Sequence, residues 1–235
     1  MRAAGRLGVG VVGAGRVGPV LGAALAGAGH ALVGITAVSQ ESRDRADAML
    51  PGVPVLTVPE LVERSELVLL AVPDEELVLF VEGLADAGVW VAGQLVVHTS
   101  PRYGTDVLLP AVRAGAIPVA ISPAMAFTGT SVDLVRLREA RCAVTAPGPV
   151  LPIGQALAVE MGCEPVVVAE DDRAEWAAAL DGAIGPLERA LRSAAARLVR
   201  LGVEDPDGVL GPVARSALER ALLHARRPGG LGDES

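Results

Sequence analysis

The sequence predicts an α/β fold: a doubly wound parallel sheet followed by a short all-helical C-terminal domain. Three observations carry that reading. Short apolar runs alternate with helix-like stretches from residue 7 to residue 168. The runs are unbroken Val, Leu and Ile, the pattern of parallel strands buried on both faces. A glycine-spaced turn joins the first run to the first helix-like stretch.

In chain order, residues 7–12 (LGVGVV) read as a short buried strand and 19–29 (PVLGAALAGAG) as a helix of small residues. The apolar run 31–38 gives the second strand, followed by a helix near 42–50, a short strand near Val55 and a helix at 59–64. Strand 67–72 stops at Pro73, and Asp74 caps the helix that runs to residue 87. Strand 95–99, a helix near 105–114, strands 117–121 and 140–145, helix 151–161 and strand 165–168 complete the alternation. After Ala169 the pattern is helical only, with segments at 172–183, 186–202 and 206–227. Gly185-Pro186 reads as a break with a Pro start after it, and Asp205-Pro206 as an N-cap with a first-turn Pro. The expected domains are therefore 1–170 and 171–235. So small a helical unit cannot bury its own apolar faces. Its Leu and Ala stripes are expected to pack on the sheet domain and on a second copy, giving a homodimer through the C-terminal helices. The tail from Arg226 reads as a disordered end.

Composition narrows the function. Of 235 residues, 51% are hydrophobic and 20% charged, which is a globular balance. The net charge of -8 repels phosphate backbones, and five aromatics (Phe80, Trp90, Tyr103, Phe127, Trp176) offer no stacking platform, so nucleic acid is not an expected partner. All 20 basic residues are Arg, and Asn is absent too. Lysine Schiff-base and P-loop lysine chemistry are thereby excluded. Cys142 and Cys163 are too few for a disulfide framework and lack metal-ligand spacing, so both read as buried thiols. His30, His98 and His224 form no cluster, and no metal is expected. Val17 to Gln40 carries no Asp, Glu or Arg and is long enough for a span, but Pro19, five glycines and His30 interrupt it. A secretory signal starting at Met1 is interrupted by Arg16. The expected location is cytoplasmic, away from membranes.

Gly13-Ala14-Gly15-Arg16-Val17-Gly18 has the GxGxxG spacing, at a strand-to-helix junction of an alternating chain. That is the context in which it marks a dinucleotide site. Gly13 allows the tight turn, Gly15 lets the backbone approach a diphosphate, and Gly18 lets helix and strand pack closely. Backbone amides at a helix N-terminus then meet the anion. The bland reading is that these glycines serve packing alone. An NAD-type site offers a carboxylate at the end of the second strand. Here that end reads Ala37-Val38-Ser39-Gln40-Glu41-Ser42-Arg43, with Ser39, Ser42 and Arg43 placed to hold a 2′-phosphate. NADP(H) is the expected cofactor, with NAD as the alternative, since Glu41 could serve a ribose and Arg43 could be a solvated surface charge. Val72 and Pro73, at the next strand end, are expected to line the cofactor with their backbone.

The segments GVGVVGAGRVGPVLGAAL, LVLLAVPDEEL, QLVVHTS, SPAMAFTGT and GVEDPDGVLGPV, spread from residue 8 to about residue 213, resemble those of Rossmann-like oxidoreductases that end in the helical domain of unknown function 2520. That group is distantly related to ketopantoate reductase and the 6-phosphogluconate dehydrogenase superfamily. The resemblance implies an NAD(P)-binding sheet domain, a helical domain that helps form a dimer, and reduction of a small carbonyl or imine-like substrate. The chain departs from that pattern at three places. Ser122 stands where relatives usually carry His, and Pro101 where they carry Gly. The stretch Trp176 to Pro186 lacks their His and Asn, and the chain is shorter than typical members.

Hydride transfer to a carbonyl needs a hydrogen-bond or proton donor at the developing alkoxide. The candidates by exclusion are Ser122, Ser100 and His98; the two serines read equally as strand-end caps, and His98 lies inside a strand, where a hydrogen-bonded structural histidine is the more common outcome. Arg102 could clamp a substrate carboxylate. Tyr103 is the only phenol, Met125 and Phe127 would form an apolar wall, and Asp181 would face the crevice if the helical domain folded over it. The expected function is an NADP(H)-dependent oxidoreductase of a small carbonyl, imine or 2-oxo acid. The alternative is a degenerate, non-catalytic Rossmann-like protein that binds a dinucleotide or a partner as a dimeric scaffold.

Overall fold

A computed structural model describes residues 6–225. The start of the signal-like stretch and the tail from Arg226 lie outside them. Seven strands form one sheet: β1 (Gly8–Val12), β2 (Ala31–Ile35), β3 (Leu67–Leu70), β4 (Leu95–His98), β5 (Ile117–Pro123), β6 (Arg141–Thr145) and β7 (Glu164–Val167), in the order β2-β1-β3-β4-β5-β6-β7. The helices are α1 (Gly18–Gly27), α2 (Gln40–Met49), α3 (Val58–Arg64), α4 (Asp74–Asp86), α5 (Leu109–Arg113), α6 (Val132–Arg136), α7 (Leu151–Glu160), α8 (Arg173–Arg200) and α9 (Pro206–Ala225). The chain divides into two compact units, Met1–Ala178 and Ala179–Ser235.

The unbroken apolar runs are explained by burial on both faces. Along β3, Leu67 and Leu69 join one apolar cluster while Val68 and Leu70 join the other, and β4 repeats this with Leu95 and Val97 against Val96. Side chains on a strand point alternately to opposite faces, so covering both faces makes successive positions apolar. Each fully buried Val or Leu contributes about 1.5–3 kcal/mol. The first cluster includes Val20, Leu21 and Leu25 of α1 and Leu157 of α7; the second includes Leu61 of α3, Leu77 of α4 and Ala111 of α5.

The structure corrects the expected architecture in four places. β6 runs antiparallel to β5, pairing Ser122 with Ala143. The Ala124 amide bonds the Arg141 carbonyl at 2.7 Å, so the chain re-enters the sheet at the end where it left. A buried strand shows the same apolar run in either direction, so composition could not reveal this. Val55 makes only an isolated bridge to Ile35, since β2 ends there. Residues 105–114 split into a 3-10 turn (Asp106–Leu108) and α5, with Pro110 in the first turn of the latter. Gly185-Pro186 does not break the chain, because α8 runs through Pro186 from Arg173 to Arg200. Losing one N–H donor is tolerated in a helix of that length.

Candidate functional site

The order β2-β1-β3 places the change of winding direction at β1, where open α/β sheets bind ligands beyond the carboxyl ends of their strands. A cleft of about 800 Å³ lies there. It is lined by Gly13, Ala14 and Gly15 after β1, by Thr36 to Ser39 after β2, by Ser42 and Arg43 on α2, and by Ala71, Val72 and Pro73 after β3. Its size fits a bound nucleotide.

Each glycine of the turn has a distinct geometric reason. Gly13 has φ +99°, and a Cβ there would overlap the Ala71 carbonyl oxygen. A Cβ on Gly18 would overlap the Gly13 carbonyl oxygen and press on Val11 and Ala71. At Gly15 a Cβ would meet nothing within 4 Å, so this position faces open space. The Gly13 amide donates to Thr36 Oγ1 at 2.9 Å, tying the turn to the end of β2. Among the described residues the amides of Gly15 and Arg16 donate to no protein atom, and α1 begins two residues later. Two free amides at a helix N-terminus, beside a backbone with no side chain in the way, fit a diphosphate.

Arg45 holds the same turn from behind. Its guanidinium donates to the Ala14 carbonyl at 3.0 Å and to the Glu41 carboxylate at 2.6 Å. Gly129 has φ +80°, and a Cβ there would press on Arg16 Cα and the Arg45 side chain. The loop carrying Gly129 is fastened by Asp133, a fully buried carboxylate that accepts from the amides of Thr128 (2.7 Å) and Gly129 (2.8 Å). Burial pushes the Asp133 pKa up, but those hydrogen bonds and Arg136 outweigh it and hold the carboxyl below its ordinary value.

On α2, Ser39 is the N-cap, its hydroxyl accepting from the Ser42 amide at 3.1 Å, while the Ser42 hydroxyl donates to the Ser39 carbonyl at 2.8 Å. The Ser39 proton therefore remains for a ligand, whereas that of Ser42 is engaged. Arg43 is exposed, lines the cleft and makes no ion pair among the described residues. Of the other residues expected at the cofactor, Arg16 is exposed, Val17 half-buried and Gly18 buried, and none of the three lines the cleft.

The residues expected at the reaction centre lie at the ends of β4 and β5, outside this cleft. His98 is fully buried. Its Nε2 lies 2.7 Å from the Gly104 carbonyl and its Nδ1 accepts from the Ser100 amide at 3.2 Å. A carbonyl only accepts, so Nε2 carries the proton and the ring is neutral. Burial pushes the His98 pKa down to about 4, with Arg173 adding to the effect and the Gly104 bond opposing it. Ser100 Oγ accepts from the amides of Arg102 (3.1 Å) and Tyr103 (3.3 Å). Ser122 is buried on β5, and its hydroxyl makes no hydrogen bond among the described residues. Arg102 lies 3.8 Å from Asp74, and Met125 and Phe127 are half-buried against the first apolar cluster. Asp181 is exposed on α8, in the second unit.

Two further residues shape this end of the sheet without any signal in the sequence. Arg173, 1% exposed, donates to Thr145 Oγ1 (2.8 Å) and to the carbonyls of Ala120 (2.8 Å), Ser100 (3.4 Å) and Ala143 (3.4 Å). Burial pushes its pKa down to about 10. Glu170 accepts from the amides of Thr105 (2.7 Å) and Asp106 (3.0 Å). Together with His98, these two residues fix the loop that presents Arg102 and Tyr103.

Residues 1–123, more than half of the chain, match the family described as Rossmann-like domain. The chain belongs to the Rossmann-like domain family. No curated protein sequence matches it. Among solved structures, a candidate NADP oxidoreductase from Bacteroides fragilis superposes with a TM-score of 0.76 at 16% identity, covering 95% of this chain and 85% of that one. An imine reductase from Pseudomonas sp. gives 0.67 at 17% identity, with coverage of 95% and 77%. The 1-pyrroline-5-carboxylate reductase of Streptococcus pyogenes gives 0.65 at 16%, with coverage of 94% and 81%. At these identities the likeness shows a shared fold. Among the described residues of this Rossmann-like protein, no group of His, Cys, Asp or Glu is arranged to hold a metal ion, and no helix is long and apolar enough to cross a membrane.

Proposed function

We propose that this Rossmann-like protein is an NADP(H)-dependent oxidoreductase that reduces a small carbonyl, imine or 2-oxo acid substrate. The observation that carries the reading is the contrast on α2, where Arg45 engages Glu41 and Arg43 stands in the cleft without an ion pair. An engaged carboxylate is withheld from a ribose hydroxyl, while an open guanidinium offers a 2′-phosphate a charge-assisted bond. The names of the fold neighbours agree with this, as does the resemblance to the group that ends in domain of unknown function 2520.

When bound, NADPH supplies the hydride. The chain's own part begins with the amides of Gly15 and Arg16, which hold the diphosphate, and with Ser39 and Arg43, which hold the 2′-phosphate. Ser122 and Ser100 are the proposed donors to the substrate's oxygen or nitrogen. The two amide bonds that Ser100 Oγ accepts draw electron density from its oxygen and polarise its own O–H. Arg102 would orient a substrate carboxylate between the half-buried Met125 and Phe127. His98 is assigned to hold the loop rather than to donate, since its one ring proton is bound to Gly104. A homodimer through α8 and α9, which expose Leu187, Val199, Leu201, Val213 and Leu222, belongs to the same proposal. So does a cytoplasmic location, which both free thiols fit.

The test is NADPH consumption against a panel of small aldehydes, 2-oxo acids and cyclic imines, with Ser122→Ala beside the wild type and mass measured by light scattering. Turnover of one class, lost in the variant, supports the reading. NADPH binding with no turnover of any class would leave the non-catalytic alternative standing, and a monomer would remove the dimer.

A further inference from the structure

The cleft contains more than the phosphate-binding turn. Val38, Val55, Leu56, Val58 and Phe80 give it apolar walls, and two carboxylates, Glu60 and Glu76, also line it. They differ in what they are free to do. Glu60 is the third residue of a capping box, accepting from the Thr57 amide at 3.1 Å and the Thr57 hydroxyl at 2.7 Å. Glu76 sits in the first turn of α4, where its amide bonds the Pro73 carbonyl at 3.0 Å and fixes its position at the helix start. Its carboxylate makes no hydrogen bond or ion pair among the described residues. The cleft thus holds two charged side chains without a partner, a cation at Arg43 and an anion at Glu76, with apolar surface alongside.

We infer that Glu76 reads the purine of the bound dinucleotide by accepting a hydrogen bond from its 6-amino group. This rests on the dinucleotide reading above. An adenosine 2′-phosphate presents three features in one molecule: an anion, a flat apolar ring and an exocyclic N–H donor. The cleft offers the complement of each, in Arg43, the Val and Phe walls, and Glu76. A carboxylate can only accept, so it discriminates between a purine with an amine at carbon 6 and one with a carbonyl there, whose lone pairs it repels. An apolar slot alone would bind the two rings with similar affinity, because stacking and burial do not distinguish them.

Calorimetric titration of the full chain with NADPH and with reduced nicotinamide hypoxanthine dinucleotide phosphate, which differ only at that position of the purine, reads the discrimination directly. The wild type should prefer NADPH by about tenfold or more, tenfold being the lower end of what a hydrogen bond to a charged group is worth. Glu76→Gln, whose amide can also donate to a carbonyl, should reduce the preference to within about twofold, largely by gaining affinity for the analogue. Glu75→Gln, which removes the same charge from the same exposed turn but does not line the cleft, should leave the ratio unchanged. Thermal unfolding of all three proteins checks that each is folded. If the wild type binds the two equally, or binds the 6-oxo analogue better as a carboxylate facing the ring N1–H would, the inference is overturned while the cofactor reading stands. An unchanged ratio in Glu76→Gln also overturns it. If neither dinucleotide binds any of the proteins, the cofactor reading falls and takes this inference with it.

Discussion

Arg43 and Glu41 lie two positions apart at the start of α2, yet only one of them is offered to a ligand. The difference comes from Arg45, which closes an i,i+4 ion pair with Glu41 and bonds the Ala14 carbonyl across 31 residues of sequence. The signal for Arg43 was local, a cation after a strand end, and could be seen in the sequence. The signal for Arg45 was not, because its role depends on a partner that only folding brings near. Asp133 and Arg173 were hidden for the same reason, as buried charges whose partners are backbone groups without sequence identity. At this scale His98 makes a prediction about pH. Its folded pKa of about 4 lies below the ordinary imidazole value of 6.5, so between those values the unfolded chain binds a proton that the folded chain refuses. The stabilisation is complete above about pH 6.5 and is lost as pH falls towards 4, by on the order of 3 kcal/mol in total. Urea unfolding at pH 7 and pH 4.5 should show that loss, and His98→Gln should lower stability at pH 7 while flattening the difference. Equal pH dependence in the two proteins would remove His98 as its source.

The elements that hold the site are two turns and the helices behind them. The glycine turn owes its shape to contacts that exclude a Cβ at Gly13 and Gly18 and to a position at Gly15 where nothing opposes one. Those two situations separate packing from binding. Gly18→Ala should lower the unfolding midpoint, because α1 must move off β1, with an overpacking cost of about 1–3 kcal/mol. Gly15→Ala should leave the midpoint nearly unchanged and weaken NADPH binding, since its methyl would enter the space expected for the diphosphate. Equal effects of the two on the midpoint would contradict this division. Most elements could be placed from the sequence because apolar runs and proline or glycine stops are local features. Strand direction was not visible at β6, nor was the continuity of α8 through Pro186, since neither is encoded in hydrophobic pattern.

Across the whole chain, a seven-stranded sheet with a crossover at β1 brings the ends of β1, β2 and β3 together, and the described polar groups there divide into those engaged by the protein and those left for a ligand. Thr36, Ser42, Glu41 and Glu60 belong to the first class, and the amides of Gly15 and Arg16, the Ser39 proton, Arg43 and Glu76 to the second. The fold was legible in the order of strands and helices, and the site in the spacing of its glycines. What the spacing could not supply was this division, which requires hydrogen-bond partners to be known. The central claim is that the open groups hold a 2′-phosphorylated dinucleotide. Titration of the wild type and Arg43→Ala with NADPH and NADH tests it most directly. The account predicts that the wild type favours NADPH and that the variant loses roughly 1.5–3 kcal/mol for NADPH while NADH binding scarcely changes; equal weakening of both, or no binding of either by the wild type, would contradict it.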